Sequence, residues 1–123
     1  MSQTILVVDD SPTVVKFVSF SLKNGGFTVV TARDGMDAIE TLSNLSEDVD
    51  LIITDLNMPN LDGYGLIATV RQNQEYKSTP IIILSSEEGE EDRARGLETG
   101  ASSYLVKPFK SDRLLSEVRK YLK

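Results

Sequence analysis

Five short apolar runs alternate along this chain with stretches of helical periodicity, and this alternation limits the possible folds more than any other feature. The runs cover residues 5–8, 27–31, 51–54, 81–84 and 103–106. Each run is rich in β-branched residues and is bounded by Asp, Gly, Pro or Ser, as strands commonly are. Strands that alternate with helices form a parallel sheet through right-handed crossovers. The pattern therefore predicts an α/β fold.

The segments between the runs, each about 12–20 residues long, carry apolar residues at helical spacing. The predicted inward positions are Val14/Phe17/Val18/Leu22, Ala38/Leu42/Leu45, Leu66/Ile67/Val70 and Leu114/Leu115/Val118/Leu122. The predicted N-caps are Ser11, Asp34 and Ser111, and the predicted helix ends are Gly25, Gly26 and Gly100. The fourth pattern, over residues 88–99, has only Ala94 and Leu97 as apolar anchors, so we expect that helix to be weakly held.

The composition of the runs predicts the order of the strands. Runs 5–8, 51–53 and 81–84 are continuously apolar, as expected for strands covered on both faces, whereas the second and fifth runs carry Thr, Ser and Tyr. Order 2-1-3-4-5, known for flavodoxin-like folds, places the three apolar strands at the centre. We expect a flavodoxin-like (βα)5 doubly wound sandwich with a five-stranded parallel sheet. We also expect residues 1–123 to form a single domain without an output domain.

The amino-acid composition excludes several kinds of chemistry. The chain has no Cys and no His, which removes disulfides, thiolate sites, His-based metal sites and Ser-His-Asp triads. A net charge of −6 argues against a broad basic surface for nucleic acid. No apolar run approaches the roughly 20 residues of a membrane span, and no signal peptide is evident, so we expect a cytoplasmic protein. A metal bound here should be a hard, oxygen-liganded ion such as Mg²⁺.

Acidic residues follow two neighbouring strands of the predicted sheet. Asp9 and Asp10 follow the first run, and Asp55 follows the third. Ligands of such sheets bind beyond the carboxyl ends of the strands, where the strand order reverses. Because neighbouring strands are roughly 4.8 Å apart, three carboxylates should crowd one place and repel one another. A divalent cation would relieve that repulsion.

Two further polar residues end the remaining strands at the same edge of the sheet. Ser85 follows the fourth run, and Lys107 follows the fifth. A hydroxyl and an ammonium group beside carboxylates and a metal suit phosphoryl transfer, and carboxylates are established phosphoryl acceptors. Singly, each residue has an ordinary structural explanation: Asp10 can cap a helix, Asp55 can occupy a turn, and Lys107 can be a surface cation. Their shared edge favours the functional interpretation.

Four sequence motifs occur in the order and with the spacing of a known family. They are LVVDD at 6–10, DLNMPNLDG at 55–63, ILSSE at 83–87 and GASSYLVKPF at 100–109. Through these motifs the chain resembles, over essentially its whole length, the receiver domain of bacterial two-component response regulators of the single-domain CheY type. The resemblance implies phosphorelay signal transduction.

The resemblance also implies how the acidic residues act. Asp55 would be phosphorylated by a sensor histidine kinase or a phosphotransfer protein. Asp10, Asp55 and the backbone carbonyl of Asn57 would bind Mg²⁺ directly, and Asp9 would help through a bound water molecule.

The other motif residues acquire roles from the same resemblance. Ser85 and Lys107 would bind phosphoryl oxygens, and Lys107–Pro108 would be a cis peptide. Tyr104 would be the switch aromatic that turns inward when Ser85 moves to the phosphate. Leu56 stands where enteric chemotaxis regulators carry Trp, which argues against a role at a flagellar motor.

The resemblance implies a regulator and not an enzyme, one that catalyses only its own phosphorylation and slow self-dephosphorylation. We expect a monomer whose fourth helix, fifth strand and fifth helix together meet an unidentified protein target. Because the chain lacks His, it can receive a phosphoryl group but cannot donate one from histidine. We hypothesise that Val15 and Phe20 on the first helix contact the phosphodonor, with burial against the last helix as the alternative.

Two other functions share part of this pattern. A Mg²⁺-dependent phosphatase with an aspartyl intermediate would carry a second Asp two residues after the nucleophile, where this chain has Asn57. A pseudo-receiver would bind partners without being phosphorylated, and the complete set of Asp10, Asp55, Ser85 and Lys107 argues against it.

Overall fold

A computed structural model of the protein describes residues 3–45, 48–86 and 90–122. The described residues form strands β1 (Thr4–Val8), β2 (Thr28–Ala32), β3 (Leu51–Asp55), β4 (Ile81–Ser85) and β5 (Ser103–Val106). Each strand is followed by a helix: α1 (Pro12–Asn24), α2 (Gly35–Asn44), α3 (Gly63–Gln72), α4 (Glu90–Thr99) and α5 (Ser111–Tyr121). Every predicted strand is present, with limits within one residue of the prediction. None of the described helices is long and apolar enough to span a membrane.

The five strands pair in parallel in the order β2-β1-β3-β4-β5, which confirms the predicted sheet. Val8 of β1 lies opposite Thr54 of β3, so the residues that follow them at the carboxyl edge are Asp9 and Asp55. On the other side, Ser85 of β4 lies opposite Val106 of β5. The strand order thus brings the polar residues predicted for the site to one end of three central strands and an edge strand.

The sheet separates two apolar layers. Alternate residues of the central strands point to opposite faces, so Leu6 and Ile52 pack with α2 and α3, while Ile5 and Ile53 pack with α1 and α5. All residues of β1, β3 and β4 are buried, whereas β2 is partly exposed, as predicted for an edge strand. Burial of each large aliphatic side chain contributes about 1.5–3 kcal/mol. The apolar layers therefore hold the carboxyl edge of the sheet as a rigid platform.

Two of the three predicted N-caps are confirmed. The side chains of Ser11 and Asp34 accept hydrogen bonds from the first turns of α1 and α2. The third is wrong: α5 begins at Ser111, and the N-cap position is occupied by Lys110 without a side-chain bond. The Ser111 hydroxyl instead lies 2.7 Å from the Ser21 hydroxyl and joins α5 to α1. The predicted helix ends are confirmed at Gly25, Gly26 and Gly100.

The predicted apolar contacts of three side chains are wrong. Phe17 is 42% exposed because its ring leans against Phe109 in the loop after β5 and does not enter the core. On α4, Ala94 and Leu97 are both exposed, and Gly96 is the buried residue among those α4 residues whose burial the structure describes. The beginning of the predicted helical pattern, at residues 88 and 89, lies outside the described residues. The helix is held even more weakly by apolar contacts than its sequence predicts.

Candidate functional site

Three carboxylates meet at the carboxyl ends of β1 and β3, as predicted. One oxygen from each of Asp9, Asp10 and Asp55 lies within 4.8 Å of the others. Asp9 and Asp55 are 3% and 9% exposed, whereas Asp10 is exposed to solvent. Such a cluster presents oxygen ligands alone, which suits a hard divalent cation.

Lys107 extends across this cluster from the end of β5. Its ammonium Nζ lies 3.2 Å from Asp9 Oδ2 and 3.5 Å from Asp55 Oδ1. The backbone N–H of Lys107 donates to the carbonyl of Ser85 at 2.7 Å, and the Lys107–Pro108 peptide is cis, which confirms that prediction. The Lys107–Asp9 ion pair was not predicted, because β5 and β1 are not neighbours in the sheet. The long Lys107 side chain reaches from the end of β5 past β4 and β3 to Asp9 at the end of β1.

The charges of the cluster are not balanced without a further cation. Burial and the nearby Asp9 raise the pKa of Asp55, while Lys107 and the backbone N–H of Leu56 lower it by less. One ammonium group therefore does not offset the crowded carboxylates. The residues present thus fit a site for Mg²⁺, which adds two positive charges and accepts carboxylate and carbonyl oxygens.

The two neighbouring aspartates have different surroundings. Both oxygens of Asp9 have partners, since Oδ1 accepts from the backbone N–H of Ser11 at 2.9 Å and Oδ2 pairs with Lys107. Ser11, and not Asp10, caps α1. The exposed Asp10 side chain lines a groove together with Asp9. Asp10 is therefore the more accessible of the two for a cation that enters from solvent.

The remaining predicted residues are Ser85 on β4, Tyr104 on β5 and Asn57 in the segment after β3. Ser85 is fully buried at the end of β4, and Tyr104 is 3% exposed on β5, opposite Ile83. Asn57 is exposed and lies two residues after Asp55. The structure thus places the predicted site residues other than Tyr104, which lies within β5, at one edge of the sheet, and the individual role of each stays a prediction.

Comparison with known proteins assigns the chain to a class. The profile of the response regulator receiver domain matches residues 5–119, so the chain belongs to the receiver domains of two-component response regulators. These are signalling domains of the phosphorelay. The family, inferred above from four motifs, is thereby confirmed.

Individual relatives include signalling proteins of different lengths. The chain is 38% identical to the protein PilG of Pseudomonas aeruginosa over 96% of this chain and 86% of PilG. It is 36% identical to the transcriptional regulatory protein HprR of Escherichia coli, over 97% of this chain and 51% of HprR. It is 34% identical to the sensor histidine kinase CheAY of Helicobacter pylori, over 97% of this chain and 15% of CheAY. The chain thus spans about half of HprR and a small part of CheAY.

Solved structures agree with this assignment. The chemotaxis response regulator CheY4 of Vibrio cholerae superposes with a TM-score of 0.92 at 36% identity, covering 99% of this chain and 100% of CheY4. The receiver domain of a sensor histidine kinase from Pseudomonas aeruginosa superposes with a TM-score of 0.89 at 30% identity, covering 98% of both chains. That structure has a magnesium ion coordinated in its active-site cleft.

Proposed function

We propose that Asp55 is the phosphoacceptor of this receiver domain and that its phosphorylation depends on Mg²⁺. The observation that carries the proposal is the cluster of Asp9, Asp10 and Asp55 oxygens within 4.8 Å, with the Lys107 ammonium 3.5 Å from Asp55. Asp55 combines a buried position at the end of β3 with a raised pKa. A carboxylate destabilised in this way gains from the neutralisation of charge that cation binding brings.

In the proposed reaction, an oxygen of Asp55 attacks the phosphorus of a phosphohistidine on the donor protein. The phosphorus–nitrogen bond breaks, the electron pair leaves with the imidazole, and an acyl phosphate forms on Asp55. Asp10, Asp55 and the carbonyl of Asn57 would hold the Mg²⁺, and Asp9 would contact it through water. The bound metal supplies positive charge to the phosphoryl oxygens. Hydrolysis by water completes the cycle, so the chain acts on itself and not on an external substrate.

Lys107 and Ser85 are suited to bind the new phosphoryl group. The Lys107 ammonium already lies beside Asp55 and can move to a phosphoryl oxygen. Ser85 is the last residue of β4, the strand beside β3, and α4 is the next element that the structure describes. We expect Ser85 and Tyr104 to act as the switch that passes the change to the face formed by α4, β5 and α5. The weak apolar contacts of α4 make its displacement inexpensive.

A sensor histidine kinase or phosphotransfer protein is the proposed phosphodonor, and α1 is its proposed contact. Phe20 is 68% exposed, and Val15 is half-buried beside the groove that contains Asp9 and Asp10. We expect Phe20→Ser and Val15→Asp to slow transfer from the cognate donor protein. The same variants should react normally with a small phosphodonor, which needs no docking surface. Unchanged transfer from the donor protein would exclude this contact.

Mass spectrometry after treatment with acetyl phosphate tests the central proposal. Wild type in Mg²⁺ should gain the mass of one phosphoryl group, and Asp55→Asn should gain none. Asp112→Asn, which changes an exposed carboxylate of α5, is the matched control and should behave as wild type. No added mass on wild type, or equal added mass on Asp55→Asn, would overturn the proposal. Repeated turnover of external phosphate esters would instead indicate a phosphatase.

A further inference from the structure

The loop between β3 and α3, residues 56–62, is fastened to the beginning of α2 by two hydrogen bonds. Asn60 Nδ2 donates to Asp34 Oδ2 at 2.8 Å, and the backbone N–H of Gly35 donates to the carbonyl of Leu61 at 3.1 Å. The second oxygen of Asp34 accepts from the backbone N–H of Asp37 at 2.9 Å. One carboxylate therefore caps α2 and holds the loop at the same time.

Close packing shows that this attachment leaves little freedom. A Cβ on Gly35 would lie 2.5 Å from the Leu61 carbonyl oxygen and 2.8 Å from the Leu61 Cβ. Only glycine permits the two segments to approach so closely. Asn60 has a φ of 68°, the left-handed conformation that Asn tolerates better than most residues. The loop is thus bent at Asn60 so that its side chain reaches Asp34.

The attached loop carries a candidate ligand of the metal. Asn57 lies between Asp55 and the fastened residues, and its backbone carbonyl is the third proposed protein ligand. At its other end the loop is closed by a hydrogen bond of 2.9 Å from the Gly63 N–H to the Leu56 carbonyl. Asp34 and Asn60 also line the groove that contains Asp9 and Asp10. The hydrogen bond therefore lies next to the proposed metal site and on the segment that completes it.

We propose that Asp34 and Asn60 are positioning residues for Mg²⁺, whose hydrogen bond holds the β3–α3 loop in the conformation that binds the ion. This inference rests on the proposed function of Asp55. Mg²⁺ requires near-ideal octahedral geometry, so a ligand on a loose loop must be ordered when the ion binds. Ordering a backbone residue costs conformational entropy. A loop that is already ordered avoids this cost and binds the ion more tightly.

The first variant to test is Asn60→Gly, which removes the donor while it keeps a residue that accepts a positive φ. Isothermal titration calorimetry with MgCl₂, without any phosphodonor, should show Mg²⁺ binding weakened about tenfold. This is the lower end of the range expected when a residue that orients a metal ligand is mutated. Amide exchange in residues 56–62 should become faster. Asn73→Gly is the matched control, because the Asn73 side chain also makes a loop hydrogen bond, accepting from the Glu75 N–H at 2.8 Å, and is not part of the groove. Asn73→Gly should bind Mg²⁺ as wild type does.

A mutant cycle separates positioning from a general loss of stability. In Asp34→Ser the new hydroxyl can still cap α2, but it is too short to reach Asn60. In that background Asn60→Gly should have no further effect on Mg²⁺ affinity. Wild-type affinity in Asn60→Gly, or an equal loss in both backgrounds, would overturn the inference and leave the proposed function intact. If wild type itself bound no Mg²⁺, or if Asp10→Asn bound it as tightly as wild type, the proposed function would fail first.

Discussion

Glu117 on α5 offers a quantitative test of how this fold is held together. The residue is 4% exposed, and its Oε2 accepts from the Ser103 hydroxyl of β5 at 2.5 Å. Its Oε1 accepts from Arg113 Nη1 at 2.6 Å and from Lys120 Nζ at 2.9 Å. Burial raises the pKa of Glu117, but these hydrogen bonds outweigh burial and lower the pKa from 4.5 to about 2.

This pKa corresponds to a contribution to stability. A pKa of Glu117 lowered from 4.5 to about 2 means that the charged carboxylate stabilises the folded state by about 3 kcal/mol. Because the Arg113 and Lys120 side chains are 52% and 59% exposed, water screens part of the interaction. We expect Glu117→Gln to lower the free energy of unfolding at neutral pH by about 2–3 kcal/mol.

The pH dependence has a defined sign. The pKa is lower in the folded state, so the contribution is present above the unfolded pKa of 4.5 and is lost as the pH falls towards about 2. Urea unfolding followed by far-UV circular dichroism, from about pH 7 to about pH 2.5, should therefore show the wild-type and Glu117→Gln curves converging at low pH. Glu98→Gln, which changes an exposed carboxylate of α4, is the control, and its free energy of unfolding should stay close to that of wild type at every pH. A constant difference between wild type and Glu117→Gln at every pH would refute the reasoning.

Three further changes have expected outcomes. Asp55→Asn should raise the free energy of unfolding at neutral pH in metal-free buffer, because burial and Asp9 raise the pKa of Asp55. This gain in stability should vanish below the ordinary aspartate pKa, where Asp55 is protonated in both the folded and the unfolded state. A gain in stability that persisted below that pH would contradict the explanation. Arg71→Met should lower that free energy by about 2–4 kcal/mol, since the guanidinium donates to four backbone carbonyls, including that of Gly100 at 2.9 Å. In urea titrations Arg71→Lys should be more stable than Arg71→Met but less stable than wild type. Wild-type stability of Arg71→Lys would show that the several N–H donors of the guanidinium group are unimportant. Gly63→Ala should destabilise the fold by about 1–3 kcal/mol and weaken Mg²⁺ binding in calorimetry, because the added Cβ would overlap the backbone oxygen of Asp55. If the variant kept the wild-type stability and Mg²⁺ affinity, this close packing would be refuted.

Much of the framework could be predicted because its signals are local. β-branched apolar runs, helical spacing and glycine stops predicted each strand to within one residue, and continuous apolarity identified the central strands. Since parallel strands end at one edge, residues as distant in sequence as Asp10 and Lys107 could be assigned to one site. The sequence contains no His, so these residues cannot donate a phosphoryl group from histidine, whatever their fold.

The individual side-chain contacts were decided only by tertiary structure. Phe17 has the spacing of a core residue yet lies 42% exposed against Phe109, and Glu117 is charged yet buried. Sequence spacing gives the face of a helix, but the burial of a side chain on that face depends on which distant segment covers it. The pairing of Lys107 with Asp9 has the same cause, since strands that are not adjacent bring the two groups together. Periodic patterns in this sequence determined the sheet and the edge that carries the site, while packing between distant segments determined which groups at that edge touch.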